Sequence, residues 1–162
     1  MNTVPPAERS TEHATFAIER TYPHAPANVF AAFADLETKL RWFGDVDAVR
    51  DGRQALDFRE GGTERLHLSF PDGTRVTYDA RYIDIVPDER IIHAYEMSMN
   101  DRRISATVAS VEFLAVEGGT RLLINEHGIY LDGLDQPAQR EHGTEQLLDR
   151  LGAALDAVAV GG

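Results

Sequence analysis

The sequence predicts an α+β fold in which a curved antiparallel β-sheet wraps around one long C-terminal helix, with two short helices after the first strand. Three observations predict it. Turn signals recur at short, regular intervals through the middle of the chain, and the segments between them alternate apolar and polar residues. The C-terminal segment instead carries apolar residues at helical spacing, so it presents one side that must be covered.

Taken in order, Met1 to His13 is polar and contains Pro5 and Pro6, and reads as a frayed tail ahead of one domain spanning 14–160. Thr15 to Thr21 alternates, with Phe16 and Ile18 on one side, and predicts the first strand. Pro26 suits the first position of a helix, and Val29, Phe30 and Phe33 repeat at helical spacing. Leu36, Leu40 and Phe43 continue the pattern into a second short helix, which Asp35 is placed to cap. Beyond residue 46 the turn signals are Asp51-Gly52, Gly61-Gly62, Asp72-Gly73, Pro87-Asp88, Asn100-Asp101 and Gly118-Gly119. They separate about six strands, among them Leu66/Leu68/Phe70, Val76/Tyr78/Ala80/Tyr82, Tyr95/Met97, Val111/Phe113 and Leu122/Ile124. Glu-Gly-Gly-Thr occurs at Glu60 to Thr63 and again at Glu117 to Thr120, which reads as shared turn chemistry and not as a repeat. After a loop from Leu131 to Gln136, the stripe Leu147, Leu151, Leu155 and Val158, widened by Leu148, predicts the long helix.

Composition narrows the function classes. The chain has 162 residues, 43% of them hydrophobic, which is enough for one sizeable core. Its formal charge of −11 repels phosphate backbones and anionic lipid, so neither nucleic acid nor a membrane is an expected partner. Without cysteine there is no disulfide framework and no thiolate nucleophile or zinc–thiolate site. No apolar run approaches the roughly 20 residues that span a bilayer, and the expected location is cytoplasmic. No phosphate-binding glycine loop or nucleophile elbow occurs. Glu126-His127 and Glu141-His142 lack the spacing that aims two ligands at one metal, so neither a metal nor a cofactor is expected.

Several motifs in sequence also resemble a family. Arg41-Trp42-Phe43-Gly44 follows the paired short helices, Gly61-Gly62 forms a turn, and Tyr78-Asp79-Ala80-Arg81-Tyr82 leads into Pro87-Asp88-Glu89-Arg90-Ile91. Glu126-His127-Gly128 precedes the final helix. Their order resembles the SRPBCC superfamily, also called START-like or birch-pollen-allergen-like, and within it the branch homologous to the activator of the heat-shock protein 90 ATPase. The resemblance covers roughly Ala14 to Val158. It implies a helix-grip fold with a hydrophobic pocket, used across the superfamily for lipids, polyketides and other apolar molecules, without implying one activity.

A sheet that grips a helix leaves space between them, and the inward residues are the candidate ligand-binding set: Phe30, Trp42, Tyr78, Tyr95, Met97, Phe113, Ile124, Leu147 and Leu151. Tyr78 and Tyr95 stand out among the tyrosines because their neighbours Asp79 and Glu96 must face water. Half-buried strand tyrosines are also ordinary core, Met97 also serves as a gap filler, and Trp42 also anchors helices. His93 shares the face of Tyr95, whereas His67 points outward. Glu126 is the one candidate for chemistry. Alternation from Leu122 and Ile124 places it inside, where a carboxylate is costly unless protonated or paired. Either it is a functional acid or base, or it pairs with an arginine at the strand end beside a bulge.

Three functions compete on this reading: binding of a small hydrophobic molecule that is lipid-like, aromatic or polyketide-like; cyclase, aromatase or lyase chemistry in the same cavity; and a co-chaperone-like interaction protein. An open sheet edge would also permit a homodimer.

Overall fold

A computed structural model describes residues 9–45, 47–50 and 54–161. The elements run β1 (Thr11–Tyr22), α1 (Pro26–Ala34), α2 (Leu36–Lys39), β2 (Val49–Arg50), β3 (Ala55–Leu56), β4 (Thr63–Ser69), β5 (Arg75–Val86), β6 (Arg90–Met99), β7 (Arg102–Val116), β8 (Gly119–Leu131) and α3 (Pro137–Gly161). The strands form one curved antiparallel sheet in the order β1-β8-β7-β6-β5-β4-β2, with β3 paired to β4. The architecture is thus the α+β helix-grip arrangement that the sequence predicts.

The first strand starts earlier than its alternation suggests. Thr11 to His13, read as tail, are paired with β8 through Thr11↔Leu131 and His13↔Ile129. Their side chains are exposed, so no inward pattern marks them as strand. The tail residues 1–8 and the Asp51-Gly52 turn lie outside the described residues. Each of the other turn signals holds a residue in the left-handed region: Gly61, Gly73, Asp88, Asn100 with Asp101, and Gly118. Glycine enters that region freely, and Asn and Asp do so more readily than other side chains. Asp35 caps α2 as expected, accepting from the Thr38 amide at 3.0 Å and from the Thr38 hydroxyl at 2.8 Å.

The two Glu-Gly-Gly-Thr segments share a mechanism. In each, the first glycine takes a left-handed φ, +81° at Gly61 and +83° at Gly118. The second lies against a backbone carbonyl: a Cβ on Gly62 would fall 2.1 Å from the Asp57 oxygen, and one on Gly119 would fall 1.9 Å from the Tyr22 oxygen. One glycine permits the turn and the other permits a neighbouring segment to approach.

The inner face of the sheet is divided unevenly. Leu148, Leu151, Ala154 and Leu155 of α3 pack with Phe16, Ile18, Leu122 and Ile124 of β1 and β8, together with Phe30 and Phe33 of α1. The Tyr22 hydroxyl reinforces this contact by donating to the Leu148 carbonyl at 2.7 Å. The second cluster, Leu66, Leu68, Tyr78, Ala80, Tyr95 and Ala109, contains no residue of α3. Helix cover therefore concentrates on the β1–β8 side, and the β4–β6 side is lined but not filled. The expected stripe on α3 is also turned slightly. Leu148 replaces Leu147 in the core seam, Leu147 is half-buried, and Val158 is 45% exposed, outside the core cluster.

The glycine pair yields a stability prediction. Gly118→Ala introduces only left-handed backbone strain, about 1 kcal/mol, whereas Gly119→Ala forces β1 away from β8 and costs about 3 kcal/mol. Urea unfolding of the two variants checks the order; equal losses would refute the close-approach role of Gly119.

Candidate functional site

Over the uncovered part of the sheet lies a cavity of about 480 Å³. Strands β4 to β6 contribute Leu66, Leu68, Val76, Tyr78, His93, Tyr95 and Met97. The segment after α1 adds Lys39, Trp42 and Phe43, and the first half of α3 adds Gln139, Arg140, Gly143 and Leu147. Strand alternation brings every second residue inward, so Tyr78, Tyr95 and Met97 converge without any special backbone. Met97 stands opposite Tyr78 in register, and the Tyr78 and Tyr95 rings lie 4.8 Å apart. Phe43 meets Tyr78 edge-on at 4.9 Å. The Trp42 indole donates to the Ala32 carbonyl at 3.1 Å, so the ring both walls the cavity and ties its loop to α1.

Two buried polar clusters interrupt this apolar lining. In the first, the Lys39 ammonium donates to Glu64 at 2.5 Å, and the Tyr82 hydroxyl donates to the same carboxylate oxygen at 2.5 Å. Lys39 and Glu64 are each only 5% exposed. A charge so deep is tolerable only because its partner lies equally deep. Burial, then the Glu64 charge, raises the Tyr82 phenol far above its ordinary range, so it remains a donor.

The second cluster holds Glu126, which is 7% exposed. Tyr95 donates a short hydrogen bond to it, and Arg140 of α3 donates to the Tyr95 hydroxyl at 3.2 Å and to the Ser105 hydroxyl at 2.9 Å. Arg140 is ion-paired with Asp135 in the preceding loop. Burial pushes the Glu126 carboxyl above its ordinary pKa, against the Tyr95 hydrogen bond and the Arg140 charge, which lower it. Burial and the Glu126 charge likewise hold the Tyr95 phenol protonated.

His93 sits between the clusters. Its ring stacks on Tyr95 with centroids 5.9 Å apart, and its Nδ1 is buried without a hydrogen-bond partner. Burial, then the Lys39 charge, brings its pKa down to about 3, so the imidazole is neutral at physiological pH. The partial exposure that the residue retains is consistent with its place on the cavity wall.

Among the residues singled out from sequence, Trp42, Tyr78, Tyr95, Met97, Ile124, Leu147 and Glu126 line the cavity, as does His93. Phe30, Phe113 and Leu151 do not: they are closed into the core around α1 and α3. Phe30 and Phe113 pack edge-on at 5.4 Å, and Leu151 lies where the helix meets the sheet directly. Glu126 takes neither an arginine partner at a strand end nor a bulge. Register runs unbroken through Phe16↔Glu126 and Ala109↔Glu126, and its direct partner is Tyr95. His67 does face outward, but it is largely covered and lies 3.6 Å from Asp79. Lys39, Glu64, Arg140 and Asp135 were not anticipated. Three carried a legible signal: Glu64 alternates inward from Leu66 and Leu68, Lys39 falls three residues after Leu36 on the apolar side of α2, and Arg140 precedes Leu147 by two helical turns. Among the described residues no group of three or more histidine, aspartate or glutamate side chains is placed to hold a metal ion.

The neutral His93 makes stability depend on pH. Its folded pKa lies below the 6.5 of an unperturbed histidine, so the unfolded chain takes up a proton that the folded protein refuses. Its contribution is fully present above pH 6.5 and is lost as pH falls from there toward 3, amounting to about 2 kcal/mol at pH 5. Urea unfolding of His93→Gln is expected to show a loss between pH 7.5 and pH 5 that is smaller than the unsubstituted protein's by about that amount. An identical pH dependence in the two proteins would contradict the buried neutral state.

Comparison with known proteins agrees with this geometry. The family model described as Activator of Hsp90 ATPase homolog 1-like protein matches residues 23–156. No curated protein sequence matches the chain. Among solved structures, an uncharacterized protein from Rhizobium leguminosarum is 44% identical, with a TM-score of 0.87 over 92% of this chain and 98% of its own. A protein from Rhizobium loti is 43% identical, with a TM-score of 0.83 over 90% of this chain and 99% of its own. An AHSA1-like protein from Aeromonas hydrophila shares the fold at 20% identity and a TM-score of 0.67, covering 90% of this chain and 94% of its own. The chain belongs to the activator of Hsp90 ATPase homolog 1-like family, within the SRPBCC superfamily.

Proposed function

We propose that the protein binds a small hydrophobic molecule in the cavity between β4–β6 and α3. The observation that carries this reading is the cavity itself: about 480 Å³ walled by aromatic, aliphatic and thioether side chains, within the size range of small-molecule sites. A core evolved only for stability would be closed to organic-crystal density, and voids of this size are costly. The fold family commonly encloses hydrophobic ligands, which supports the same reading. Tyr78, Tyr95, Met97, Ile124 and Leu147 form the proposed contact surface, with Trp42 and Phe43 at the α2 end. Met97 suits a wall that adapts to the shape of its occupant.

A second reading, proton-transfer chemistry of the cyclase or lyase type, has one observation in its favour. Glu126 is buried, lines the cavity and is hydrogen-bonded to Tyr95, with its pKa raised by burial. Such an acid is suited to hold or deliver a proton.

A variant separates binding from folding. Leu147→Trp projects a larger ring into the cavity from a half-buried position. It is expected to abolish ligand-induced rises in melting temperature while the free protein melts within a few degrees of the parent. Unchanged ligand response in the variant would move the binding site elsewhere. For the second reading, Glu126→Gln should remove any turnover. A raised acid contributes stability below its unfolded pKa and loses it as pH rises through the folded pKa, so the substitution should leave stability at pH 7 unchanged or higher. Turnover that persists in Glu126→Gln would exclude Glu126 as the proton carrier.

A further inference from the structure

The charges around the cavity narrow what it can hold. Three cationic side chains line it, Lys39, Arg140 and Arg150, and each is engaged by the protein. Lys39 is paired with Glu64, and Arg140 is paired with Asp135 and bonded to Tyr95 and Ser105. Arg150 donates to the backbone carbonyls of Trp42 and Gly44. The acidic side chains at the wall are Asp45, Glu126 and Asp135, with Glu64 behind Lys39. Among the described residues, an anionic ligand would therefore meet carboxylates and no unengaged cation, and it would lose its hydration without replacement.

Two polar groups on the strand wall of the cavity have no partner among the described residues. His93 Nδ1 is buried and unpartnered, and the Tyr78 hydroxyl has no hydrogen bond among the described residues. Their rings flank Tyr95, at 4.8 Å for Tyr78 and 5.9 Å for His93, and both residues line the cavity. A neutral imidazole offers one donor and one acceptor nitrogen, and a phenol can do both, so together they match a hydroxyl or carbonyl oxygen.

We infer that the cavity selects an uncharged apolar molecule bearing a hydrogen-bonding oxygen, an alcohol, phenol or ketone, which His93 and Tyr78 hold, and that it discriminates against carboxylates of the same skeleton. The inference rests on the cavity reading and adds the chemical class of the occupant. Polar groups without a protein partner gain one when such a ligand enters, whereas a hydrocarbon leaves them without one. A carboxylate brings a charge that the engaged cations cannot neutralise without breaking Lys39–Glu64 or Arg140–Asp135.

The test measures binding to the intact protein at pH 7 by fluorescence or calorimetry, using two matched sets of probes. One set is phenanthrene, 9-phenanthrol and phenanthrene-9-carboxylate; the other is dodecane, dodecanol and dodecanoate. In at least one set the neutral oxygenated probe is expected to bind about tenfold tighter than both the hydrocarbon and the carboxylate. His93→Phe and Tyr78→Phe should each bring it toward the hydrocarbon's affinity. A carboxylate that binds as tightly as the alcohol or phenol overturns the inference and leaves the cavity reading intact. A hydrocarbon that binds equally well overturns the role of His93 and Tyr78. No binding by any of the six up to its solubility limit overturns the cavity reading itself.

Discussion

Everything about this protein follows from one mismatch: a sheet of eight strands presents an apolar inner face wider than a single helix can cover. α3 commits its seam of Leu148, Leu151 and Leu155 to the β1–β8 side, where Phe16, Ile18, Leu122 and Ile124 receive it. The Tyr22 hydrogen bond to the Leu148 carbonyl reinforces that placement. The β4–β6 side then has to be closed by other means. The segment after α1 folds over it with Trp42 and Phe43, and what remains between them is the cavity. Cavity and core are thus two parts of one inner face, separated by where the helix lies.

The polar clusters are placed where this division leaves a need. Lys39–Glu64–Tyr82 joins α2 to β4 and β5, and Arg140 joins the start of α3 and its preceding loop to β6 and β7. Lys39 and Arg140 each line the cavity while tied to a neighbouring element. Buried ion pairs add little net stability but are costly to break, which suits them to hold a wall in position around a space. Among the described residues they also engage the cations at the cavity wall, and the proposed preference for an uncharged occupant rests on that.

Much of the fold was legible because its rules are local. Pro26 starts α1, Asp35 caps α2, and the hairpin turns fall at Gly61, Gly73, Asp88, Asn100-Asp101 and Gly118. Thr11 to His13 was not legible as strand, because an edge segment paired on one side needs no inward apolar residues. The inward direction of Tyr78, Tyr95, Met97 and Glu126 followed from period-two alternation. Alternation says which face a residue takes, however, and not what covers that face. Phe30, Phe113 and Leu151 point inward too, but into the half that the helix closes. The partners of Glu126 and the Lys39–Glu64 pair depend on contacts between residues 25 to 45 positions apart, beyond the reach of local pattern.

The claim on which the rest depends is that the space between β4–β6 and α3 is an open apolar cavity in the folded protein. A crystal structure determined under xenon pressure addresses it directly, because xenon enters apolar cavities without needing a specific chemical partner. The account predicts xenon among Leu66, Leu68, Tyr78, Met97 and Leu147, with the surrounding side chains unmoved. Absence of xenon, with Leu147 and Phe43 collapsed onto Tyr78 to fill the space, would contradict it.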